Sequence, residues 1–164
     1  MAKLAANGLP EESVWDYPRP PAVVPCERRV RVRHGDLVVA DSQRALRVLE
    51  TASPPTIYVP AADVRTDLLE EAPEKHSVCE WKGRASYFHL DSETGRAEHS
   101  AWTYPEPKEP YAPLRDHYAF YAGRVDACFL DDERVTPQGG EFYGGWVTAE
   151  VVGPYKGEPG SEGW

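Results

Sequence analysis

"RASYFHLDSETGRAEHSAWTY", residues 84–104, is the stretch from which the rest of the chain can be read. Its two halves, RASYFHL (84–90) and RAEHSAWTY (96–104), flank DSETG, whose Asp, Ser and Gly are turn formers. The pattern predicts an antiparallel pair of strands running from Arg84 to Tyr104. Side chains two apart on a strand share a face, so Trp102 and Tyr104 point the same way. Immediately upstream, CEWKG (79–83) reads as the turn leading into this pair. Gly83 there supplies backbone freedom and Trp81 supplies burial, but neither need calls for the ammonium of Lys82 between them.

Working outward, RRVRVRHGDLVVADS (28–42) alternates valine with arginine and turns at His34-Gly35-Asp36, a second hairpin. TIYVP (56–60), HYAFY (117–121) and a stretch centred on Val147–Val152 read as further strands. ACFLDDERV (127–135) reads as a tight hairpin through Asp131-Asp132. Two segments read as short helices. DSQRALRVLE (41–50) offers Asp41 or Ser42 as N-cap, sets Ala45, Val48 and Leu49 on one face, and precedes the Pro54-Pro55 stop. ADVRTDLLEEA (62–72) has Asp63 as cap and Pro73 as stop. The expected organisation is a proline-rich arm (1–22), a core domain (23–152) and a glycine-rich tail (153–164), with Trp15 and Tyr17 pinning the arm to the body.

Composition agrees with a mainly β chain. Sixteen prolines, thirteen glycines, nine tyrosines and five tryptophans beside a single methionine suit short strands and many turns. The net charge of −9 leaves no basic surface for nucleic acid or an anionic membrane, so neither is expected as a partner. No apolar run approaches the roughly 18 residues of a membrane span, and residues 1–20 have no signal-peptide core. Cys26, Cys79 and Cys128 are an odd number set far apart, which predicts reduced thiols and a cytoplasmic location. Whether the chain forms a homo-oligomer stays open.

Five blocks carry a family resemblance: ADSQRALRVLE (40–50), SVCEWKGRASY (77–87), AEHSAWTYPEP (97–107), HYAFYAGRVDA (117–127) and FYGGWVTAEVVGP (142–154). Together they resemble the bacterial family known as domain of unknown function 427, over roughly residues 24–152. The resemblance implies a small antiparallel β-tent-like domain of two sheets, similar to methionine sulfoxide reductase B and the thalidomide-binding domain of cereblon. It implies no reaction.

Structural zinc in β-tent proteins sits between two C-x-x-C knuckles, and no C-x-x-C occurs here. His76 and Cys79 have an H-x-x-C spacing without a second pair, and the other histidines are scattered, so no metal or other cofactor is expected. The family has also been filed under a nucleotidyltransferase-like label. Such enzymes need a Gly-Ser turn and paired D-x-D carboxylates for magnesium, whereas the lone Gly160-Ser161 lies in the tail and no D-x-D exists. Asp131-Asp132-Glu133 reads as a turn rather than a metal clamp.

For nucleophilic chemistry Cys79 is the best candidate, because a nearby Lys82 ammonium favours a thiolate, while a small buried hydrophobe is the plainer role. Cys128, within ACFL, reads as core. The constellation that remains is aromatic and cationic: Trp81, Lys82, Arg84, Tyr87, Trp102 and Tyr104, with Phe142, Tyr143 and Trp146 adding rings. Such rings either build the core or line a groove for a flat or anionic small molecule, oriented by Lys82 or Arg84. Three function classes follow: a small-molecule binding module, an enzyme using Lys82 or Cys79, and a protein-interaction domain.

Overall fold

Residues 84–92 and 95–103 do pair as an antiparallel hairpin, and it lies within the larger of two main antiparallel sheets. The structure is a computed structural model that describes residues 3–93, 95–140, 142–161 and 164. Its first strands are β1 (Glu12–Ser13), β2 (Ala22–Pro25), β3 (Val30–His34), β4 (Leu37–Ser42), β5 (Leu46–Leu49) and β6 (Thr56–Pro60). The hairpin region follows as β7 (Leu69–Cys79), β8 (Gly83–Ser92), β9 (Gly95–Thr103) and β10 (His117–Phe120). The chain ends with β11 (Ala127–Leu130), β12 (Glu133–Arg134), β13 (Thr136–Pro137), β14 (Trp146–Val147) and β15 (Val151–Val152).

Seven strands pair in the order β2-β5-β6-β10-β9-β8-β7, and four in the order β12-β11-β3-β4. Two small pairs, β1 with β15 in parallel and β13 with β14, tie the ends of the chain to the body. The arm is thereby part of the packed structure. Val14 is fully buried, and the Trp15 indole N–H donates to the Pro154 carbonyl at 2.9 Å.

The mainly β, antiparallel, two-sheet expectation holds, but the two predicted helices do not form. Residues 41–50 instead end β4, turn, and enter β5. Leu46, Arg47 and Val48 there pair with Tyr58, Ile57 and Thr56 of β6, and Leu46–Leu49 pair with β2 on the other side. The capping signal was real, but it closes a turn. The Ser42 hydroxyl accepts the Arg44 N–H at 3.1 Å and donates to Asp63 at 2.7 Å. Asp63 in turn accepts both Ser42 and the Arg44 guanidinium, so it caps nothing in its own segment. That segment becomes two single 3-10 turns, Ala61–Asp63 and Thr66–Leu68, before β7 begins. The predicted strand at Val147–Val152 is likewise two short ones, β14 and β15.

Both faces of the seven-stranded sheet are covered. Ile57, Val59, Leu90, Ala101 and Phe120 cluster with Val30, Val32, Val39, Cys128 and Leu130 of the four-stranded sheet, forming the inter-sheet core. Trp146 joins that core, its indole N–H donating to the Phe120 carbonyl at 2.9 Å. The alternate residues of the same strands, Val48, Tyr58, Tyr87, Trp102 and Ala119, make a second cluster on the opposite face. Opposite Phe88–Leu90, β9 carries a bulge at residues 98–100. The register resumes two residues later, so side-chain parity survives and Trp102 still faces away from Ala101.

Candidate functional site

The second cluster is where the sequence constellation converges. In β8–β9 register Tyr87 lies opposite Trp102. Trp102 meets Tyr121 with ring centroids 4.6 Å apart and Tyr58 edge-on at 6.2 Å, and Tyr58 meets Tyr104 at 6.2 Å. A face of this kind needs a cover. Residues 105–114 provide part of it, anchored by the Tyr111 hydroxyl donating to the Pro21 carbonyl at 2.8 Å. Residues 138–140 and 142–145 provide another part, with the Tyr121 hydroxyl donating to the Phe142 carbonyl at 2.8 Å. Gly144 lies so close against the Trp102 ring that a Cβ would be driven into it.

The two covers leave a cavity of about 210 Å³. Lys82, Tyr87, Trp102 and Tyr104 line it, as do Cys79 and the exposed Phe142 and Tyr143 at its rim. Two of the expected residues do not line it. Trp81 is half-buried and packs against the aromatic cluster from its side, and Arg84 is exposed, one residue out of phase with the inward Ala85 and Tyr87. Sequence reasoning missed Tyr58, Tyr121, Gln138 and Lys156, which also line the cavity. For Tyr58 the signal existed: in TIYVP it is the residue alternate to Ile57 and Val59, so it faces the other side.

Lys82 is 8 % exposed, and its ammonium finds no carboxylate or carbonyl acceptor among the described residues. It stands over the Tyr104 ring, whose centroid lies 5.7 Å from Nζ. Two more rings of the cavity carry cations: Lys75 lies over Tyr87 at 4.7 Å and Arg124 over Tyr121 at 4.0 Å. Desolvation lowers the Lys75 pKa, with the nearby Arg124 charge acting the same way. In a chain of net charge −9, the lining itself holds Lys82 and Lys156 against Glu50 alone.

The hydroxyls follow from burial. Tyr58 Oη accepts the Trp102 indole N–H at 3.2 Å, and the Tyr58 ring lies 6.2 Å from that of Tyr104. Burial pushes the pKa values of Tyr58, Tyr104 and Tyr121 well above the ordinary tyrosine range, and for Tyr104 the adjoining Tyr58 adds to the effect. Tyr87 shares a hydrogen bond with Ser77 at 2.8 Å. Cys79 is half-buried and free, whereas Cys128 is buried in the inter-sheet core with its thiol pKa raised by that burial.

The histidines are less scattered than the sequence suggested. Pairing of β8 with β9 sets the rings of His89 and His99 4.6 Å apart, and Glu74 joins them, so one candidate ligand atom from each lies within 4.8 Å of the others. Their hydrogen bonds suit protons better than a metal. The His99 backbone N–H donates to His89 Nδ1 at 3.0 Å, which in the neutral ring leaves the proton on Nε2, the atom facing Glu74 at 3.7 Å. Ligation through Nε2 would need that proton on Nδ1, against the His99 N–H. His76 and Cys79, three apart on β7, fall on opposite faces. Asp131 and Asp132 form the β11–β12 turn and pair with Arg28 and Arg31.

A family model described as a domain of unknown function, DUF427, matches residues 22–131, which hold most of the inter-sheet core and most of the cavity lining. No match was found among curated proteins. Among the described residues no helix is long and apolar enough to cross a membrane.

Proposed function

The chain belongs to the DUF427 family, whose description assigns no reaction, and we propose from the cavity itself that the protein is a small-molecule binding module. The observation that carries this reading is convergence. Lys82, Tyr87, Trp102 and Tyr104 come from a turn, two strands and a strand end, yet they line one cavity that opens past Phe142 and Tyr143. An apolar, ring-lined concavity with a few polar groups is the usual form of a ligand site. Its volume of about 210 Å³ holds about seven waters at about 30 Å³ each, which suits one or two fused rings rather than a nucleotide or peptide. The reading includes a reducing, cytoplasmic location, supported by three thiols that remain free.

Cys79 gives the test its readout, because it lines the cavity. Native protein treated with iodoacetamide should alkylate at Cys79 and spare the buried Cys26 and Cys128. In a screen of small aromatic metabolites, a true ligand slows Cys79 alkylation saturably, and the protection disappears in Ser53→Phe, which fills the lining. Protection that persists in the filled variant, or no protection across the screen, sinks the reading.

A further inference from the structure

The lining of the cavity holds a lysine that no carboxylate of the described residues pairs. Lys82 holds an ammonium at 8 % exposure with no acceptor among the described residues. Beside it in the lining stand Tyr58 and Tyr104, with ring centroids 6.2 Å apart, and Tyr58 Oη already accepts the Trp102 indole N–H. An ammonium that no carboxylate of the chain neutralises, set among rings beside a neutral hydroxyl, offers an anionic guest a charge-assisted hydrogen bond.

Resting on the small-molecule reading above, we infer that the cavity takes a planar aromatic monocarboxylate, its carboxylate accepting from Lys82 Nζ and from the Tyr104 hydroxyl. A cationic guest, which an aromatic box alone would suit, is disfavoured because Lys82 already stands over Tyr104 and Lys75 over Tyr87. A phosphate is disfavoured because no guanidinium fork lies in the buried lining, where one ammonium and one hydroxyl match one singly charged, two-oxygen group. The ring of the guest lies among Trp102, Tyr121 and the rim rings Phe142 and Tyr143, which sets its planarity.

The test compares three probes of one shape by ligand-observed NMR and calorimetry: 2-naphthoate, 2-naphthamide and 2-naphthylmethylammonium. A charge-assisted hydrogen bond predicts that naphthoate binds at least about tenfold more tightly than the amide, with the ammonium probe weakest. In Lys82→Met that preference falls to below about threefold, and Lys82→Gln, which keeps a neutral donor, serves as the second variant. Equal binding of naphthoate and amide, with Cys79 still protected, overturns the carboxylate assignment while the small-molecule reading stands. A preference undiminished in both Lys82 variants overturns the role of Lys82. Failure of all three probes to bind or to protect Cys79, together with an empty metabolite screen, overturns both readings.

Discussion

Replacing Lys82 by methionine separates a binding residue from a structural one. The side chain is 8 % exposed, so its aliphatic stem is packed, and methionine preserves most of that packing length. What is lost is the contact of the ammonium with the Tyr104 ring at 5.7 Å, worth about 0.5–1 kcal/mol. The ammonium is not among the buried atoms that lack a hydrogen-bond partner, so it keeps access to water and little desolvation is relieved. The balance predicts that Lys82→Met leaves the unliganded protein within about 1 kcal/mol of wild type, as expected of a charge the fold does not depend on. At this chain length each kcal/mol moves the midpoint by about 2–4 °C, so a thermal scan should show a shift of no more than about 4 °C. Urea unfolding followed by tryptophan fluorescence gives the same quantity independently. A loss above about 1 kcal/mol would refute the reasoning, since it would mean that Lys82 satisfies some acceptor the fold depends on.

Three other outcomes are expected. The raised pKa values of Tyr58, Tyr104 and Tyr121 stabilise the folded state fully below the unfolded tyrosine value of about 10, and that contribution is lost as pH rises beyond it. Absorbance at 295 nm should therefore show their ionisation as one step coincident with loss of near-ultraviolet circular dichroism, and ionisation of all nine tyrosines in a still-folded protein would contradict this. Arg28 pairs with Asp131 and Glu133 at 3.0 Å and with the buried Glu150 at 3.6 Å, so Arg28→Met should cost about 3–5 kcal/mol at pH 7. The Asp131 pKa is lowered by the Arg29 backbone N–H and by Arg28, and that of Glu133 is lowered by hydrogen bonds from Asn7, Ala149 and Arg28 that outweigh its desolvation. Carboxylates so depressed contribute fully above about pH 4 and lose that contribution as pH falls through their folded values, so the gap between Arg28→Met and wild type should narrow toward pH 3 by roughly these terms; a constant gap would refute it. Gly145→Ala places a Cβ 2.6 Å from Gln138 Oε1 and 2.7 Å from the Pro54 carbonyl, and should cost about 1–3 kcal/mol in urea unfolding.

The β-rich class, the 84–104 hairpin and most of the strands were legible because period-two patterning and turn residues survive in the structure. The two helices were misread for a physical reason. Residues 46–49 are strong helix formers, but β5 lies between β2 and β6, and two rows of backbone hydrogen bonds outweigh propensities of a few tenths of a kcal/mol per residue. Ser42 looked like a cap because cap and turn use the same chemistry, a short oxygen accepting a nearby N–H, whereas the Asp63 carboxylate turns instead to Ser42 and the Arg44 side chain. At the site, period two placed Trp102 with Tyr104 correctly, and the same rule places Arg84 outside when it is counted from Tyr87. Tyr121 and Lys156 were illegible, since they reach the cavity from a strand end and a C-terminal loop whose positions only tertiary packing sets.

The choice of residue on the outer face of the large sheet argues against packing alone. A face meant only to be buried is served by leucine, valine and phenylalanine, as the inter-sheet core is. The outer cluster instead carries Tyr58, Tyr87, Tyr104, Tyr111 and Tyr121 beside Trp102, and every buried hydroxyl or indole N–H brings a partner requirement with it. Most of those requirements are met within the chain. Tyr111 reaches Pro21, Tyr121 reaches Phe142, Tyr87 reaches Ser77 and Trp102 reaches Tyr58. The Tyr104 hydroxyl and the ammonium of Lys82, which no carboxylate of the described residues pairs, line the same cavity. Their shared location, where the covering segments stop short, is what an acceptor from outside the chain would require.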